Sequence, residues 1–147
     1  MSDNTKSDCL PSKPSELIRV ALADLRKCEK DKRYGIDMSD WHVPVDDDDP
    51  DEPACYVCLA GAVMAKSLGV PIGESKSCGS YYLGAPLVSD QLDALDEFRK
   101  GCVSDALGEL GISSPHRTMP IPAYERGAED FHEAMAGMAD MLESEGL

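Results

Sequence analysis

At 147 residues, with 42% hydrophobic residues and a mean hydropathy of −0.31, the chain has the composition of one modest globular core, which excludes a disordered or bilayer-spanning class. Its 28 Asp and Glu against 14 Lys and Arg give a net charge of −14 and a pI near 4.4, which argues against phosphate backbones and anionic membranes as partners and favours basic protein surfaces. The longest apolar run, Cys55–Ala65, has the length of a core helix, and the opening MSDNTKSDCLPSKP lacks an apolar signal region, so a cytoplasmic protein is expected.

Residues 1–14 read as a disordered tail and 15–147 as a single globular domain. SELIRVALADLRKCEKD predicts a first helix with Leu17, Ala21, Leu25 and Cys28 on one face and Ser15 available as N-cap. KRYGIDMSDWHVPV follows as an irregular or short extended segment, and then the acidic run Asp46–Glu52. PACYVCLAGAVMAKSLGVP predicts a second helix, with Pro53 in its first turn and Gly69 and Pro71 at its end. Apolar on nearly every face, this helix belongs at the centre of the fold. Gly73–Ser89 reads as a long loop with a brief strand at Tyr81–Leu83. SDQLDALDEFRKG predicts a helix capped by Ser89 or Asp90, with Leu92, Leu95 and Phe98 inward and Gly101 as its stop. VSDALGELG predicts a short one, with Val103, Leu107 and Leu110 inward. Three prolines keep Ile112–Gly127 mostly extended. In the last helix Phe131, Met135, Met138 and Leu142 recur at i, i+4, i+7 and i+11. The expected fold is mainly α, four to five helices around a central apolar helix, with long loops at 31–52, 71–89 and 111–126 and at most a minor β element.

Cys55 and Cys58 form a Cys-x-x-Cys pair. A structural zinc site needs four ligands, and the others would come from His42, Cys28, Cys78 or Cys102; no second Cys-x-x-Cys or His-x-x-x-His completes the signature. The set, if zinc binds at all, is Cys55, Cys58, His42 and Cys78. The plainer reading makes the pair small apolar residues of the core. A redox dithiol is disfavoured because the carboxylates beside it raise a thiol pKa. The six cysteines are scattered through a chain expected in the cytoplasm, which favours free thiols over a disulfide framework. The acidic run lacks the central Gly and spacing of a calcium loop. No catalytic constellation or phosphate-cradling loop is evident; His116 reads as a loop residue, and His132 as lying on the solvated flank of the last helix. Trp41 beside His42 is either a core plug or, with Tyr34, Tyr81 and Tyr82, a binding anchor.

The order ALADLRKCEKDKRYGIDMSDWHVP, CYVCLAGAVMAKSLG and ALDEFRKG, within residues 17–110, resembles a group of small accessory proteins of tailed bacteriophages. The resemblance implies a protein made in the cytoplasm of an infected bacterium. It also implies a role in countering host defence by occupying a host protein's surface, at times by imitating nucleic acid. The expectation is a non-catalytic, cofactor-free binder that inhibits or redirects a host protein with a basic surface, without contacting nucleic acid or membrane. The expected contact residues are Asp46, Asp47, Asp48, Asp49, Asp51 and Glu52, together with Glu129, Asp130, Glu133 and Asp140 of the last helix. Two alternatives stand beside it. One is an oligomeric small-ligand binder that sequesters a nucleotide-like signal among Trp41, His42, Tyr81 and Tyr82, provided Arg33, Arg99, Lys100 and Arg117 gather near it. The other is a zinc-stabilised module.

Overall fold

The structure is a computed structural model that describes residues 11–31, 34–36, 42–44, 55–66 and 86–147, with the backbone alone at 42–44, 55–56, 64–66 and 86–89. It is mainly α. Five helices are described: α1 (Pro14–Lys30), α2 (Leu59–Lys66), α3 (Pro86–Arg99), α4 (Val103–Glu109) and α5 (Ala128–Ser144), with a 3-10 turn at Tyr124–Arg126 before the last. The minor β element is a sheet of three-residue strands, β1 (Tyr34–Ile36), β2 (His42–Pro44) and β3 (Cys55–Val57), in the order β1-β3-β2. β3 pairs in parallel with β1, setting Tyr34 opposite Cys55, and antiparallel with β2, setting His42 opposite Val57.

α1 forms because Leu17, Ile18, Ala21, Leu25 and Cys28 repeat at helical spacing, and all are sealed from solvent. Pro14 occupies its first turn, where a missing N–H costs nothing. Ser15 does not cap it, because the helix starts one residue earlier and Lys13 holds the cap position without a side-chain bond. Instead the Ser15 N–H and hydroxyl both donate to the carbonyl of Leu147, at 3.3 and 3.2 Å, so the far end of the chain satisfies a donor left open by the first turn. Nearby, the Gln91 side chain donates to the carbonyl of Pro11 at 2.8 Å.

α2 is the central apolar helix, with Leu59, Ala60, Ala62 and Val63 fully buried, and it packs on both α1 and α3. Its start corrects the sequence reading: Cys55–Val57 is a strand, and the helix opens at Leu59. A short apolar run suits a buried strand as well as a buried helix, and pairing with β1 and β2 on both sides decides for the strand. α3 likewise begins at Pro86, ahead of the expected Ser89 or Asp90 caps. Leu92, Leu95 and Phe98 point inward as their spacing predicts. The helix ends at Arg99, and Gly101 turns the chain at φ +84. Only glycine fits there: besides the left-handed backbone, a Cβ would collide with the carbonyl oxygen of Met119. α4 then folds back on α3, burying Val103, Ala106 and Leu107, with Leu110 only partly covered. α5 lies along α1 and inserts Phe131, Met135, Met138 and Leu142 into the shared core. The brief strand expected at Tyr81–Leu83 lies outside the described residues.

Candidate functional site

Two polar regions stand out among the described residues. The first is a network on the α1–α5 seam. Glu29 Oε2 accepts hydrogen bonds from Tyr124 Oη at 2.7 Å and His132 Nε2 at 2.8 Å, and Glu29 Oε1 accepts one from Arg26 at 3.2 Å. Arg26 in turn makes a fork to Glu129, with both bonds at 2.7 Å. His132 is only 6% exposed, which corrects its placement on a solvated flank. Burial raises the pKa of Glu29, but the bonds from His132 and Tyr124 and the charge of Arg26 outweigh it and leave the carboxyl below its ordinary value. Burial, and then the bond to Glu29, push the Tyr124 hydroxyl up. A second arginine, Arg19, reaches Asp140 and Glu143, both at 2.7 Å. Two of the four carboxylates expected to form a free acidic face on the last helix, Glu129 and Asp140, are therefore engaged in pinning α5 to α1.

The second region is the outer side of the α3–α4 hairpin. Asp90, Asp93 and Glu97 recur at i, i+3 and i+7 along α3, and Asp105 and Glu109 at i and i+4 along α4, so the two stripes meet across the hairpin. Partial burial first, and then repulsion from Asp93, Asp90, Glu97 and Asp105, push the Glu109 carboxyl up. The adjacent cations are mostly committed to α3 itself: Arg99 bonds Asp96 at 2.6 Å and Lys100 sits 3.3 Å from Asp96, with Glu97 at 4.0 Å. A shallow depression of about 460 Å³ opens between the stripes, walled by Asp90, Gln91, Glu109, Leu110 and Ser12. At the other end of the hairpin, Glu97, Cys102 and Asp105 bring one donor atom each to within 4.8 Å of one another, the arrangement among the described residues that could hold a cation.

Most of the site residues expected from sequence fall elsewhere. Trp41, Asp46, Asp47, Asp48, Asp49, Asp51, Glu52, Cys78, Tyr81 and Tyr82 lie outside the described residues, as does Arg33. His42 is placed on β2 and Cys55 on β3, two rungs apart in the antiparallel ladder. Cys58 is 1% exposed, and burial pushes its thiol up to about 11, which suits the core reading. Cys28 is also buried, whereas Cys102 is partly exposed. Arg99 and Lys100 both pair with Asp96, and Lys100 also reaches Glu97, so carboxylates already engage two of the cations expected to gather at an anion site. The α3–α4 stripes went unremarked in the sequence, although the i, i+3, i+7 spacing of Asp90, Asp93 and Glu97 was there to find them.

No family model, curated protein or solved structure matches the chain. No helix among the described residues is long and apolar enough to cross a membrane.

Proposed function

We propose that this protein acts by binding, without catalysis, and that it docks the outer side of the α3–α4 hairpin on a basic surface of a partner protein. The observation that carries this reading is the convergence of Asp90, Asp93, Glu97, Asp105 and Glu109, close enough that the other four add to the desolvation that raises the Glu109 pKa. Like charges held together on a folded surface cost stability, and a cationic partner relieves that cost while the field steers its approach. An arginine or lysine side chain fits the depression between Asp90 and Glu109, where both walls offer a carboxylate. The resemblance to phage accessory proteins makes a host protein the partner and inhibition or redirection of that protein the outcome.

The test is capture from bacterial lysate at low and high salt, by the native chain and by a variant carrying Asp90→Asn, Asp93→Asn, Asp105→Asn and Glu109→Gln. Capture should fall steeply with salt and be lost in the variant, whose folding is verified by circular dichroism. Equal capture at both salt concentrations, or by the neutralised variant, rejects the reading.

A further inference from the structure

The chain between α4 and α5 runs extended from Ile112 to Ala123, and its middle is held differently from its ends. Ile112 N donates to the Leu107 carbonyl and Met119 N to the Gly101 carbonyl, both at 2.9 Å, and neither bond involves a titrating group. Between these anchors the strap is fastened by His116. The Ser104 hydroxyl of α4 donates to the His116 carbonyl at 2.8 Å and accepts from the His116 N–H. The imidazole Nδ1 lies 2.9 Å from the Ser114 carbonyl oxygen, and Nε2 lies 2.7 Å from Glu145 Oε1, just beyond α5. A carbonyl and an ionised carboxylate can only accept, so each ring nitrogen has to carry a proton. A neutral imidazole has one N–H to give. The ring matches both partners only as the imidazolium.

We propose that His116 is a pH-operated latch, pinning Ser113–Thr118 to the end of α5 most firmly while protonated and loosening that stretch when the proton is lost, with the two Ser104 bonds to α4 left to hold it alone. Glu145 is the charge that acts on it from the end of α5; α4 presents the neutral Ser104 hydroxyl, and the strap itself presents the Ser114 carbonyl. The Ser114 bond and then the Glu145 bond raise the pKa of His116 above the ordinary histidine value, against an opposing effect of burial. A histidine whose pKa is raised by folding contributes fully below its ordinary pKa, and the contribution is lost as pH rises through the folded value. The latch therefore opens on the alkaline side. Ile112 and Met119 stay anchored, so the loosening is confined to the stretch between them, where Ser113, Ser114 and Pro115 with Ser104 and Gly108 wall a groove of about 500 Å³.

The test is a nitrogen NMR titration of the imidazole in the full chain, paired with hydrogen exchange corrected for the intrinsic rate. Both ring nitrogens should be protonated at low pH, with a midpoint above the ordinary 6.5, and Glu145→Gln should lower it. Across the midpoint the His116 amide should lose protection about tenfold, the equilibrium weight of one hydrogen bond, while the Ile112 and Met119 amides keep theirs. His116→Gln, which can still bond but cannot titrate, should abolish the step. A midpoint at or below 6.5, a midpoint unmoved by Glu145→Gln, a step that survives in His116→Gln, or loss of protection shared equally by all three amides overturns the latch.

Discussion

Replacing Glu29 by alanine removes the acceptor on which α1, the 3-10 turn and α5 converge. Tyr124 and His132 each lose a bond to an ionised partner, and His132 is too deeply buried for water to substitute freely. Hydrogen bonds to charged groups contribute about 1.5–3 kcal/mol each. Arg26 keeps its fork to Glu129, and removing a partly buried carboxylate returns part of its desolvation cost. The net loss should be about 3 kcal/mol, a large share of the roughly 5–15 kcal/mol that holds a domain together. Glu29→Gln, which retains one acceptor oxygen, should lose about half as much.

The assay is urea unfolding at neutral pH of the native chain, Glu29→Ala, Tyr124→Phe and the double variant. Because Tyr124 and Glu29 touch, the two losses should fall short of additivity by about 1 kcal/mol. The folded pKa of Glu29 lies below its ordinary 4.5, so its contribution is present above that value and disappears as pH falls through the folded pKa. The gap between native and Glu29→Ala stability should therefore close in acid. A loss below about 1 kcal/mol, additive single losses, or a gap that persists unchanged at low pH would refute the network as a source of stability.

Two further outcomes bear on the fold. Gly101→Ala should cost about 3 kcal/mol, because it meets both an unfavourable backbone and the rigid Met119 carbonyl, whereas Gly111→Ala, at φ +78 with open space, should cost only about 1 kcal/mol in the same unfolding assay. Equal losses at the two positions would show that the Met119 contact does not matter. With its thiol raised to about 11, Cys58 should be roughly one part in a thousand thiolate at about pH 8 and resist alkylation until the chain unfolds, while Cys102 should label in the native state; labelling at equal rates, read by peptide mass, would contradict the burial.

The helices were legible wherever one apolar stripe met one polar side. α5 shows this best, since Phe131, Met135, Met138 and Leu142 are all buried as their spacing predicts. The same helix shows the limit. His132 continues to Met135 and Ala139 at i+3 and i+7, so the buried stripe is wider than its aliphatic members, and a histidine on its edge is drawn in when a carboxylate waits on the facing helix. Glu29 reads in the sequence as part of the charged end of α1. Only packing shows that it faces inward. β3 failed for a different reason: three apolar residues carry no period, and strand identity came from long-range partners on both sides rather than from Cys55–Val57. The proposed latch was out of reach for the same reason, since Ser104, His116 and Glu145 come together only when the chain doubles back.

The net charge of −14 takes on a different meaning once the carboxylates are sorted by what they touch. Along the α1–α5 seam, Arg19 and Arg26 draw Asp140, Glu143 and Glu129 into interhelical pairs; these pairs are solvent-exposed and screened, so they set register more than they add stability. On the α3–α4 hairpin Arg99 and Lys100 pair with Asp96, and Lys100 also reaches Glu97, while the carboxylates from Asp90 to Asp105 add to the desolvation that raises the Glu109 pKa. A surface shaped for solubility alone would intersperse the two signs. Among the described residues, Arg19 and Arg26 pair with the carboxylates of the α1–α5 seam while the hairpin gathers Asp90, Asp93, Glu97, Asp105 and Glu109 on one side, and a field concentrated in this way can orient a basic partner as well as attract it.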